Sequence, residues 1–177
     1  GILLTQVTDG KSFVKTLQSG DYHTDATINA SGVVTGTLTT GNGYLPGKPT
    51  SITSTYTTTT TNDADWGILL TQVTDGESFV MGTKSGFYHT EAAINTLGVI
   101  TSTTTTGESW YVGSLAPGTK SGFYTTDSTF DTNWGVLKTQ ITNGQSFGRN
   151  GAPTGTYRTE ATINAYGVIT ATFTTGI

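Results

Sequence analysis

Apolar and polar residues alternate with a period of two along most of this chain, the pattern of half-buried β-strands. After Tyr88 one parity carries Tyr, Thr, Ala and Ile, and the other carries His, Glu, Ala and Asn. A turn at residues 95–98, with Gly98 free to take a positive φ, then leads into a return strand from Val99 to Thr105. No stretch of about ten residues has the apolar spacing of a helix. The pattern therefore predicts an all-β fold.

Asp-Gly and Asn-Gly dipeptides are a second local signal, because they favour the tight turns of two-residue β-hairpins. They occur as Asp9-Gly10, Asp75-Gly76 and Asn143-Gly144. We expect each to close a hairpin at the end of the return strand, so that one unit contains two or three short strands.

The chain also repeats itself. A first form, Ser85–Gly107 (SGFYHTEAAINTLGVITSTTTTG), recurs at Ser19–Gly41 and Thr154–Gly176. A second form begins at Trp66 (WGILLTQVTDGESFV) and Trp134 (WGVLKTQITNGQSFG), and a copy without the Trp opens the chain. The shared tyrosines, at positions 22, 56, 88, 124 and 157, are spaced 34, 32, 36 and 33 residues apart. The unit is therefore a β-hairpin repeat of about 34 residues, and pairs of units give a period of 66 to 69.

This period divides the chain into six segments. A partial repeat occupies 1–14; form one occupies 15–45, 81–112 and, truncated, 149–177; form two occupies 46–80 and 113–148. Because both ends fall inside a unit, we expect a piece of a longer chain.

Composition narrows the class of protein. Threonine supplies 42 of the 177 residues, and only 11% are Asp, Glu, Lys or Arg, against about 25% in ordinary soluble domains. The net charge is −4 and there is no basic patch, so we do not expect the chain to bind nucleic acid. No apolar run approaches the ~20 residues of a membrane helix, so we expect no membrane insertion. With no cysteine there is no disulfide framework and no thiolate metal site.

A lone β-hairpin is only marginally stable in water, so the units must bury their apolar faces on one another. The aromatic residues that follow the Gly-containing turns (Phe13, Phe79, Trp110 and Phe147) and the recurring tyrosines are the expected filler. The core of one unit is thin. We therefore expect a segment of an intertwined or side-by-side trimeric fibre, in which partner chains cover the edge strands.

Candidate chemistry is sparse. His23 and His89 occupy one repeat position, which Arg158 takes in the third copy, so they are expected to face solvent rather than act as catalytic bases. The acidic residues of two turns are expected to cap them, with a calcium ion as the alternative: Asp63, Asp65, Asp127 and Asp131. We expect no catalytic residue, no metal site and no cofactor.

Exposed aromatic residues near turns are the remaining candidates for ligand binding, because their rings can stack on sugars. They are Trp66, Tyr44, Trp110, Tyr111, Trp134 and Tyr166. Structural packing between units is the alternative role. A Thr-rich ice-binding surface is a further hypothesis, but the threonine tracts at 37–39, 103–105 and 172–174 are expected to be out of register between copies.

The pattern SGFYxT…WGxLxTQxTxGxSF resembles the knob-type repeats of bacteriophage and phage-like particle tail fibres. The resemblance rests on Gly86-Phe87-Tyr88, Gly122-Phe123-Tyr124, Trp66-Gly67, Trp134-Gly135, Gln72 and Gln140. It implies a β-rich homotrimer, extracellular or on a virion surface, whose outer loops bind a host cell-surface glycan or protein. It implies no enzyme activity.

The first hypothesis is therefore a structural and adhesive fibre segment. The second is a carbohydrate-binding lectin, a closed β domain with pseudo-threefold symmetry supplied by the three copies of form one. The ice-binding surface is third.

Overall fold

The computed structural model describes residues 1–112 and 119–177, and in these residues every regular element is a β-strand. The strands are β1 (Gln6–Val14), β2 (Leu17–Ile28), β3 (Val34–Leu45), β4 (Lys48–Asn62), β5 (Leu69–Val80), β6 (Thr83–Ile94), β7 (Ile100–Trp110), β8 (Lys120–Phe130), β9 (Leu137–Phe147), β10 (Pro153–Ile163) and β11 (Ile169–Gly176). The predicted all-β class is confirmed. In the described part of the chain, no helix is long and apolar enough to cross a membrane.

The eleven strands form one sheet in chain order, each antiparallel to the next. Across the described residues, β1 pairs with β2 alone and β11 with β10 alone, so the sheet is open. The closed pseudo-threefold arrangement of the lectin hypothesis is therefore wrong for this chain. The partial repeat 1–14 contains β1, and each of the five later segments contains two strands.

The tight turns lie elsewhere than the Asp-Gly and Asn-Gly dipeptides. Gly10, Gly76 and Gly144 lie in mid-strand, where each pairs with a tyrosine of the next strand. The turn between β5 and β6 is instead made by Met81 and Gly82, with φ of 51° and 77°. The expectation of hairpin closure at those dipeptides is thus wrong. By contrast, Gly98 has the positive φ expected of it, 77°.

A row of alternating glycine and tyrosine explains the mid-strand glycines. It runs across all eleven strands: Gly10, Tyr22, Gly41, Tyr56, Gly76, Tyr88, Gly107, Tyr124, Gly144, Tyr157 and Gly176. All five tyrosines repeat one geometry, in which each ring lies over the glycine of the preceding strand. A Cβ at Gly76, for example, would lie 2.2 Å from Cε1 of Tyr88. Only a residue without a side chain leaves room for the ring.

A second row consists of threonine alone, one from each strand. It contains Thr8, Thr24, Thr39, Thr58, Thr74, Thr90, Thr105, Thr126, Thr142, Thr159 and Thr174. The threonines are therefore in register across all the copies, and the expectation that their register slips is wrong. The repeat units differ in length only in their turns and bulges, which lie outside this row.

Side chains alternate between the two sides of the sheet, so these rows share one side, the Tyr–Thr face. Its four central rows hold only Gly, Ala, Ser, Thr, Gln and Tyr. The other side, the charged face, carries the strand carboxylates, the histidines and most of the phenylalanines. A β-bulge at the matching point of each even strand keeps this division in phase near the turns.

The sheet is a single layer without a hydrophobic core: no apolar residue in the described ranges is buried. The expected filler rings all keep some contact with solvent, and Phe13 is 57% exposed. The chain exposes 10,933 Å². A compact monomer of 18.5 kDa exposes about 8,200 Å². A surface larger by about 2,700 Å² is what a sheet with both faces open has to show.

Candidate functional site

The six aromatic residues predicted to bind ligand do not form one site. Trp66, Trp134 and Tyr166 lie in turns at one end of the strands, between β4 and β5, β8 and β9, and β10 and β11. Tyr44, Trp110 and Tyr111 lie at the opposite end, at or beside the ends of β3 and β7. The strand length separates the two groups.

The first group forms an exposed row of turn tips. Trp66, Trp134 and Tyr166 are 83%, 84% and 86% exposed. Asp63 and Asp131 hold the two Trp turns, because each carboxylate accepts hydrogen bonds from the backbone N–H groups two and three residues later. The N–H groups of Asn133 and Trp134, together with Lys138, lower the pKa of Asp131. These two acids cap turns, as expected.

Two of the second group are tied into the sheet. The hydroxyl of Tyr44 donates to Oδ2 of Asp21 at 2.7 Å, which raises the pKa of Tyr44. The hydroxyl of Tyr111 donates to the carbonyl oxygen of Phe147 at 2.7 Å. Arg149 lies over the Tyr111 ring, 5.5 Å from its centroid. Tyr44 thus links β3 to the neighbouring β2, and Tyr111 reaches from the end of β7 across β8 to β9. Both side chains have little freedom to move onto a ligand.

Trp110 lies in a different setting, on the charged face. It lines a shallow depression over β6, β7 and β8, which we call the aromatic groove: Lys84, Phe87, Thr106, Glu108, Trp110 and Phe123. Glu108 pairs across the strands with Phe87 on one side and Phe123 on the other. A carboxylate therefore stands between two phenyl rings about 10 Å apart, two strand spacings of ~4.8 Å.

Two lysines complete the groove and its rim. Lys120 pairs with Glu108, Nζ to Oε1 at 2.8 Å, and Lys84 pairs with Glu77 at 2.6 Å. The ammonium group of Lys84 also lies 5.2 Å from the ring centroid of Phe87 and 5.4 Å from that of Trp110. All four charged side chains are about 40% exposed, so they stay available to solvent and to a ligand. The groove thus combines apolar ring faces with hydrogen-bond donors and acceptors.

A repeated heptapeptide in the sequence indicates this groove, although in the sequence analysis it serves only to align the repeats. The heptapeptide GTKSGFY occurs twice, ending at Tyr88 and at Tyr124. Its two copies place a lysine and a phenylalanine on β6 and again on β8, flanking Trp110 on β7. Lys84, Phe87, Lys120 and Phe123 were therefore missed because their adjacency depends on strand order, which the period alone does not give.

The two histidines lie in matching clusters on the charged face. Nδ1 of His23 is 2.6 Å from Asp9 and its Nε2 is 3.0 Å from Asp25. His89 contacts Asp75 and Glu91 in the same way, at 2.7 and 3.1 Å. Hydrogen bonds to these carboxylates, first to Asp9 for His23 and first to Asp75 for His89, raise the pKa of both imidazoles. In the described part of the chain, no group of three or more His, Asp or Glu residues is arranged to hold a metal ion.

These clusters make stability depend on pH. Because the folded-state pKa of each histidine is above its ordinary 6.5, protonation favours the folded state. The contribution is complete below about pH 6.5 and is lost as pH rises through the folded-state pKa. We expect the thermal midpoint to fall between pH 6 and pH 8, and both histidines to titrate above 6.5 by NMR.

The third copy supplies a matched control, because Arg158 stands in the histidine position and pairs with Glu160 at 2.7 Å. The double variant His23→Arg, His89→Arg keeps a positive charge at every pH. It should show little change of the midpoint over the same interval. A wild-type midpoint that is flat or rises between pH 6 and pH 8 would contradict the role of the histidines.

Comparison of the sequence with protein-family models gives no match, and comparison with curated proteins gives none either.

Proposed function

We propose that the chain is an extracellular adhesive segment, of the tail-fibre type that its repeats resemble, and that it binds a cell-surface saccharide through the aromatic groove. Its working form is a homo-oligomer, for which the resemblance implies a trimer. The observation that carries the proposal is the division of one sheet into a charged face with an aromatic groove and an uncharged face without one.

The chemistry of the groove supports a saccharide over other ligands. The C–H faces of a sugar ring stack on aromatic rings, and its hydroxyls need both acceptors and donors. Phe87, Phe123 and Trp110 supply the ring surfaces, while Glu108 and the two lysines supply an acceptor and donors. The sequence of rings and charges follows neighbouring strands, so it suits an extended chain of sugars better than a single one.

The turn row is the weaker candidate for the contact. Trp66 and Trp134 are separated by four strands, about 19 Å. Trp134 lines a recess with Asp131, Lys138 and Asn164, but this recess contains a single aromatic ring and is smaller than the groove. An extended saccharide needs several ring surfaces together with converging polar groups, and the groove supplies both.

Trp110→Ala tests the proposal on a glycan array followed by titration of the best saccharide. We expect affinity to fall at least about tenfold, the loss of one stacked ring. The variant should stay folded, because Trp110 lies on the open charged face of a sheet that has no hydrophobic core in its described residues. The same substitution at the exposed turn residue, Trp134→Ala, is the matched control and should leave the affinity unchanged.

Three outcomes would overturn the saccharide site. They are an array without binding, a loss of binding in Trp134→Ala but not in Trp110→Ala, and unfolding of Trp110→Ala. A protein receptor would then be the next ligand to test.

The in-register threonine row favours ice binding as a second candidate. The row is one threonine wide, however: its neighbours are the Gly–Tyr row and a mixed row of Gln, Ala, Thr and Ser. Inhibition of ice recrystallisation by wild type, lost in Thr90→Tyr at the centre of the row, would establish it. Recrystallisation equal to that of an inert protein would exclude it.

A further inference from the structure

The Tyr–Thr face is a large surface that takes no part in the proposed saccharide binding. It spans eleven strands and four rows, about 1,300 Å² from a strand spacing of ~4.8 Å and a rise of ~3.3 Å per residue. Two such faces in contact bury about 2,600 Å², which lies within the range of permanent homodimers. Covering this face removes roughly half of the surface that the chain shows beyond a compact monomer.

Most threonine and serine hydroxyl groups on this face are already paired with one another. Hydrogen bonds of 2.8 to 2.9 Å join the threonine row in five pairs, Thr24–Thr39, Thr58–Thr74, Thr90–Thr105, Thr126–Thr142 and Thr159–Thr174. Neighbouring serines are paired too, as in Ser78–Ser85 at 3.2 Å and Ser109–Ser121 at 2.9 Å. Removing water from the threonine row therefore costs less than burying unpaired hydroxyls. The five tyrosine hydroxyls of the Gly–Tyr row make no hydrogen bond within the described residues, so the covering molecule has to supply their partners.

The face also lacks charged side chains and side chains that project far from the sheet. Its four central rows contain no ionisable group other than the tyrosine hydroxyls, and the tyrosine rings fill the spaces above the glycines instead of standing out from the sheet. The charged face, by contrast, bears like charges at repeated positions, such as Asp25, Glu91 and Glu160. Two charged faces in contact would bring acidic groups together, whereas two Tyr–Thr faces bring none.

We propose that the Tyr–Thr face is covered by the same face of a second copy of the chain, giving a two-layer homodimer with both charged faces outward. The inference rests on the homo-oligomer of the proposed function and puts a dimer in place of the trimer that the resemblance implies. Each aromatic groove then remains open to ligand.

The small residues of this face favour two layers over three. Strands of eleven residues, about 36 Å long, would place three sheets around a threefold axis roughly 10 Å from its centre. Side chains of the size of Ser and Thr leave that space unfilled, and packed interiors do not hold such voids. Two sheets packed face to face have no central space to fill.

The test compares two adjacent threonines of β4 that point to opposite faces. Thr58 lies in the threonine row, whereas Thr59 lies on the charged face between Leu38 and Val73. Sedimentation equilibrium of the full chain should give a dimer for wild type and for Thr59→Lys. In Thr58→Lys the dimer should dissociate at least about 100-fold more readily, because the lysine is buried without a partner.

Circular dichroism establishes that each variant is folded, and Thr126→Lys against Thr125→Lys repeats the comparison on β8 in case Thr58→Lys is not. A monomeric or trimeric wild type would overturn the proposal, and so would a dimer that is lost in Thr59→Lys and kept in Thr58→Lys. A monomeric wild type that inhibits ice recrystallisation would instead assign the face to ice.

Failure of this proposal is distinct from failure of the saccharide site. Thr58→Lys should bind the saccharide with unchanged affinity per chain, and Trp110→Ala should remain a dimer. Loss of saccharide binding in Thr58→Lys, or loss of the dimer in Trp110→Ala, would show that the two faces do not act separately.

Discussion

Gly76→Ala should lower the free energy of unfolding by about 2 kcal/mol, within the range for overpacking a filled site. The new methyl group would lie 2.2 Å from the ring of Tyr88, so the ring has to leave its position over the strand. The same row is filled in the same way at Gly10, Gly41, Gly107 and Gly144. Urea denaturation of wild type and variant measures the difference.

A second background isolates the ring as the cause. In Tyr88→Thr the space over residue 76 is empty, and Gly76→Ala should be neutral or stabilising there, because glycine is a poor strand residue. The sign of the substitution therefore reverses between the two backgrounds. An equal loss of stability in both would show that the glycine is required for its backbone and not for the tyrosine.

Asn95→Ala should cost about 1–3 kcal/mol, because one side chain makes three hydrogen bonds of roughly 1 kcal/mol or less each. Oδ1 of Asn95 accepts from the N–H groups of Leu97 and Val99 at 2.9 and 3.0 Å. Its Nδ2 donates to the carbonyl oxygen of Thr132 in the next turn along the edge, at 2.7 Å. The residue therefore holds its own turn and links it to a neighbour.

Asn164→Ala is the control for that link. Asn164 caps the turn between β10 and β11 with the same two bonds, to Tyr166 and Val168 at 2.9 and 3.0 Å. Its substitution should cost less than Asn95→Ala by about one hydrogen bond, near 1 kcal/mol. Equal losses in urea denaturation would show that the bond between turns adds nothing to stability.

Strand class and repeat period could be predicted from the sequence, because both depend on local alternation and on self-similarity. The face assignment around Tyr88 was predictable for the same reason: His89 and Glu91 do point away from Tyr88 and Thr90. What alternation cannot give is how a unit meets its neighbours, since the same hairpins could stack, close or lie side by side.

The misplaced turns show this limit in particular residues. Asp75-Gly76 has the composition of a hairpin turn, and no local rule distinguishes a glycine that bends the chain from one that makes room for a ring. The deciding contact is with Tyr88, on another strand. The recurrence of tyrosine at one point in every unit was the only signal available for it.

The candidate site was predictable in part. Trp110 was predicted as an aromatic residue near a turn, and it does lie in the aromatic groove. The other residues of the groove come mainly from two other strands, which the sequence pattern did not indicate. Conversely, Trp66 and Trp134 were predicted from their position at turns, and each turn presents a single ring rather than several. A binding site needs several side chains that converge on one ligand, and which side chains converge depends on the register of the strands.

The open ladder of strands in chain order is the central claim, and distances between turn tips test it directly. The chain has no cysteine, so spin labels can be placed in pairs at Trp66→Cys with Trp134→Cys and at Ser31→Cys with Tyr166→Cys, diluted with unlabelled chain. The first pair is four strands apart and the second is eight, which gives about 19 and 38 Å at ~4.8 Å per strand. A twofold ratio of the measured distances is the expected result. Similar distances for the two pairs would mean that the sheet closes on itself, and would contradict the fold on which both faces and both proposals depend.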